Sequence, residues 1–62
     1  MRQRWFITYL QGTEAWWAFA TQSPTPRNAD FKTLMTFPGD VHFSYGDSLI
    51  EARDRLEAEL PE

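Results

Sequence analysis

The chain contains one histidine, His42, and no cysteine, so any nucleophilic or metal chemistry has to come from few groups. A catalytic histidine needs a nucleophile to deprotonate or a carboxylate to orient it. The nearest hydroxyl is Ser44, two residues on. In an extended strand that spacing is about 7 Å, too long for a direct hydrogen bond. His42 therefore reads as a surface or interface residue. Asp30, Asp40, Asp47 and Asp54 are the candidate oxygen ligands for a hard cation. Asp47 and Asp54 stand seven residues apart, about two helical turns, and do not share one ion without outside help. Asp47 instead falls where a helix dipole favours negative charge, and Glu57, Glu59 and Glu62 read as a solvated acidic end. No glycine-rich phosphate loop, paired ligand motif or nucleophile elbow is present. The expectation is a protein that is not an enzyme, with no catalytic residue, no cofactor and no metal.

What the sequence does have in quantity is aromatic surface: three tryptophans, two tyrosines and five phenylalanines. Trp5, Tyr9, Trp16, Trp17 and Phe19 are the candidate contact residues. Two binding chemistries suit them. One is a protein interface, in which aromatic rings supply the buried anchors. The other is a stacking platform for single-stranded nucleic acid, which needs open ring faces and a basic rim; Arg2, Arg4, Arg27 and Lys32 are the residues for that rim. Charge favours the first. The formal net charge is −3, whereas a protein held to phosphates needs a basic footprint. From Met1 to Tyr45, four basic residues (Arg2, Arg4, Arg27, Lys32) face three acidic ones (Glu14, Asp30, Asp40); from Gly46 onward, two arginines face six acids. That pattern describes a weakly basic sheet followed by an acidic helix.

The elements that position these residues follow from hydrophobic period and turn chemistry. Trp5 to Leu10 and Ala15 to Ala20 alternate as strands, joined by a tight turn at Gln11-Gly12-Thr13-Glu14, where Gly12 accepts positive φ. Ser23 to Asp30 reads as a loop, with Pro24 and Pro26 fixing φ and removing donors. Phe31 to Phe37 alternates again and is a further strand candidate. After the Pro38-Gly39-Asp40 turn, Val41, Phe43 and Tyr45 alternate with His42 and Ser44, a strand with its apolar side buried. Ser48 and Glu51 form a capping box, Leu49, Ala52, Leu56 and Leu60 make a helical stripe with Ile50 on its flank, and Pro61 stops the helix. The expected architecture is α+β: a three- to four-stranded antiparallel meander with one C-terminal helix packed on one face, all within a single domain spanning 1–62.

Sixty-two residues bury only about 60% of their unfolded surface, which makes such a domain marginal by itself. Without disulfides or metal, oligomerisation is the remaining remedy. One short helix also covers only one face of a sheet whose two sides both carry large aromatics, and an uncovered face of that kind is usually an interaction surface. A homo-oligomer, a dimer or larger, is the expected solution, with a small protein as the further partner and nucleic acid as the alternative. The longest apolar run, Ala15 to Ala20, falls far short of the roughly 20 residues that cross a bilayer, so no membrane partner is expected. No apolar stretch follows Met1-Arg2-Gln3-Arg4 as a secretory signal requires, and the expected compartment is the cytoplasm.

From Phe37 to Ala52 the chain resembles the centre of HicB-type antitoxin domains. There a strand ends in an apolar-Pro turn, and a short strand then leads through Gly-Asp-Thr/Ser into a helix opening Leu-x-Glu-Ala. Gly46-Asp47-Ser48-Leu49-x-Glu51-Ala52 matches that junction residue by residue. The Pro38-Gly39-Asp40 turn is one residue shorter than the family's usual form. The resemblance implies a homo-oligomeric sheet-plus-helix domain of a degraded RNase H-like kind, which binds and occludes a small RNA-cleaving toxin. It carries over no catalytic residue.

Overall fold

A computed structural model of the chain describes residues 4–60. Within them the elements run β1 (Phe6–Gln11), β2 (Trp16–Thr21), α1 (Phe31–Met35), β3 (Val41–Gly46) and α2 (Leu49–Glu59). The three strands form one antiparallel sheet in the order β1-β2-β3, and α2 packs across β2 and β3. This is the expected small α+β fold, with three strands. The first two strands each begin and end one residue later than their alternation suggests.

Register divides the side chains between two faces. Ile7 stands opposite Ala20, Tyr9 opposite Ala18 and Gln11 opposite Trp16, while Ala20 meets His42, Ala18 meets Ser44 and Trp16 meets Gly46. All of these residues share one face, and α2 lies on it. Ala18, Ala20, Ala52 and Leu56 form its fully buried core, with Trp5, Tyr9, Trp16 and Leu60 packed around them. Small residues on β2 let the helix sit close to the sheet. The other face carries Phe6, Thr8, Leu10, Trp17, Phe19, Thr21, Val41, Phe43 and Tyr45, and its core is Phe19, Ala29 and Leu34 with Leu10, Trp17 and Val41 at the margin.

Four expectations are corrected here. Residues 31–37 are not a strand: Phe31–Met35 is a single short helix, capped by Asp30, whose carboxylate accepts from the Thr33 amide at 2.8 Å. Five residues are too few to display a helical period, so their alternation mimicked a strand. The second face of the sheet is consequently not bare, because α1 and Ala29 cover part of it. The polarity of β3 is also inverted. Ser44 and Gly46 are the buried residues, whereas Phe43 and Tyr45 are exposed. Helix α2 needs small groups beneath it more than apolar ones, and Ser44 meets its polar requirement by donating to the Glu59 carboxylate at 3.3 Å. Finally, the first hairpin does not use Gly12 for positive φ; among the described residues only Gly39 has it, at 87°. Gly12 is needed for space, since a Cβ there would lie 2.9 Å from the Ala15 carbonyl and 3.1 Å from the Trp17 indole nitrogen.

The strand-to-helix junction has the expected Ser48 cap, but Glu51 reaches one residue past the cap instead of closing the box on it. Ser48 Oγ accepts from the Glu51 amide at 3.1 Å, while the Glu51 carboxylate reaches back to the Asp47 amide at 3.3 Å. Leu60 caps the other end of α2; Pro61, the expected stop, lies outside the described residues, as does Glu62.

Candidate functional site

The segment carrying α1 covers only part of its sheet face: Ala29 and Leu34 pack with Phe19, and Leu10, Trp17 and Val41 lie at the margin. On that face the rings form a continuous cluster. The Trp17 indole lies 4.9 Å from Tyr45, 5.1 Å from Phe31 and 6.0 Å from Phe43, centroid to centroid. Phe19 sits beneath, 5.4 Å from Phe31 and 5.9 Å from Phe43. Edge-to-face and offset contacts of this kind hold the rings in a fixed arrangement and add about 0.5–1.5 kcal/mol per pair beyond area burial. Phe31, Phe43 and Tyr45 are nevertheless 43%, 39% and 54% exposed. An aromatic surface of this kind, facing water, has the chemistry of a candidate contact surface.

The same cluster borders an open strand edge. Gly12 donates its N–H to the Ala15 carbonyl at 2.8 Å, so these two residues form a hydrogen-bonded pair of the β1–β2 ladder. Such pairs alternate, which makes Leu10–Trp17, Thr8–Phe19 and Phe6–Thr21 the next ones. The backbone groups of Trp16, Ala18 and Ala20 therefore turn toward β3, where they meet Gly46, Ser44 and His42. Val41, Phe43 and Tyr45 are left with their amides and carbonyls facing outward. Arg55 agrees independently: its Nη1 donates to the Tyr45 carbonyl at 2.8 Å from the α2 side. Arg55 is itself held by the Glu51 carboxylate at 2.7 Å. Between this edge and α2 runs a groove of about 410 Å³, lined by Phe43, Ser44, Tyr45, Arg55, Ala58 and Glu59.

The five aromatic residues expected to form one contact surface are divided between the two faces. Trp5, Tyr9 and Trp16 pack around the core beneath α2, with the Trp5 ring edge-on to His42 at 5.1 Å. The buried Trp5 indole N–H has no hydrogen-bond partner among the described residues. Phe19 is fully buried and supports the surface from below. Only Trp17 belongs to the exposed cluster. Phe31, Phe43 and Tyr45 complete this exposed cluster but are not among the expected contact residues: alternation assigns Phe31 to a strand and puts Phe43 and Tyr45 on the buried side of theirs. The available signal was volume, since Ala18, Ala20, Ser44 and Gly46 share one register face and mark where a helix can approach.

Of the basic rim, Arg2 lies outside the described residues. Arg4 sits 5.4 Å above the Phe6 ring, on the face of the aromatic cluster, and Lys32 is in α1 beside Phe31. Arg27 stands in the loop before Asp30. Asp30 is ionised more readily than an ordinary aspartate; hydrogen bonding from the Thr33 side chain, then from its amide, pulls its pKa below 3.8. No group of three or more metal-ligating side chains comes together among the described residues, and no helix among them is long and apolar enough to cross a membrane.

Comparisons with protein-family models, with curated proteins and with solved structures return no match to this chain.

Proposed function

We propose that this chain is a non-enzymatic protein-interaction module of the HicB-like sheet-plus-helix kind, which self-associates and acts by binding and occluding a partner protein. The observation that carries this reading is the exposed cluster of Trp17, Phe31, Phe43 and Tyr45, ordered by mutual ring contacts and set beside a strand edge. The chain as a whole has a formal net charge of −3 and no basic footprint. That charge suits a protein surface better than a phosphate backbone. The test is affinity chromatography on the immobilised chain against a variant carrying Phe31→Ser and Tyr45→Ser, with circular dichroism confirming that both are folded. A protein retained by the native chain and lost by the variant supports the reading. Identical retention profiles overturn it.

A second reading, binding of single-stranded nucleic acid, draws on Arg4 and Lys32 lying on the cluster's face of the sheet. Base stacking on Trp17 or its neighbours quenches tryptophan emission, and salt reverses it. Unchanged fluorescence on adding a mixed-sequence oligonucleotide at low salt removes this alternative.

A further inference from the structure

We draw no further inference here: the strongest candidate, the open β3 edge with the groove between it and α2 lined by Phe43, Tyr45, Arg55 and Glu59, carries nothing because nothing in the structure shows what covers it.

Discussion

Gly46 shows how one residue fixes the seat of a helix. It ends β3 on the α2 face, and a Cβ built there would lie 2.8 Å from both Cβ and Cγ of Glu51 and 3.0 Å from the Ala52 amide nitrogen. Its φ is not left-handed, so the requirement is space alone. Gly46→Ala has to push α2 away from Ala18 and Ala20 or displace the Glu51 cap, and overpacking of this kind costs about 1–3 kcal/mol. Gly39→Ala fails for a different reason. Its φ of 87° strains any L side chain by about 1–2 kcal/mol, but its steric neighbour is the end of the Gln22 side chain, which can swing aside. Urea midpoints of the two variants should both fall. Only Gly46→Ala should also lose the Asp47–Glu51 contact, seen as a change in amide exchange at Asp47. An unchanged midpoint for Gly46→Ala would mean that α2 does not sit where the contacts place it.

Among the elements, α1 depends most on its cap. Five residues make too little helix to persist alone, and Asp30 holds the first turn through Thr33. Because folding lowers the Asp30 pKa below 3.8, its ionised form is favoured in the native state. The contribution is complete above the unfolded value and disappears as pH falls through the lowered one. Stability should therefore drop on acidification below about pH 4. Asp30→Asn, which retains a capping acceptor without a titrating group, should have a shallower acid limb and near-native stability at pH 7. Thermal melts of both chains at closely spaced pH values measure this, and superimposable acid limbs would exclude the cap as a contributor. The same element shows what can be read from sequence. Ser48 and Glu51 announced α2 because capping is local chemistry, and the first hairpin followed from alternation bounded by Gly12. Helix α1 is hidden because Phe31, Thr33, Met35 and Phe37 alternate with Lys32, Leu34 and Thr36, and because Asp30 reads as the end of a loop. The exposed cluster is hidden with it. Which face of β3 stays open depends on which of two covering segments reaches it, and residue type along β3 does not encode that.

In the molecule as a whole, β2 couples everything else. Ala18, Phe19, Ala20 and Thr21 are all fully buried, with alternate side chains beneath α2 and beneath α1. The two cores are therefore built on opposite sides of one strand. A chain of 62 residues has about 3–9 kcal/mol of stability in total by the usual per-residue range. Leu56→Ala empties part of one core and Leu34→Ala part of the other; each costs about 2–5 kcal/mol, a large share of that total. If β2 couples the faces, each substitution lowers a single transition in which tryptophan fluorescence and far-ultraviolet circular dichroism stay superimposed at fixed protein concentration. Leu34→Ala is the sharper case, because Trp5 and Trp16 report on the core it does not touch. A Leu34→Ala chain that loses its α1 face first, in a separate early transition, would show that the α2 layer stands without it. With coupling, the aromatic cluster on the α1 face inherits its order from the α2 core through Phe19, so weakening Leu56 should loosen Phe31 and Tyr45 as well. Side-chain NMR line widths of those two rings in Leu56→Ala, recorded below its unfolding transition, measure that transmission.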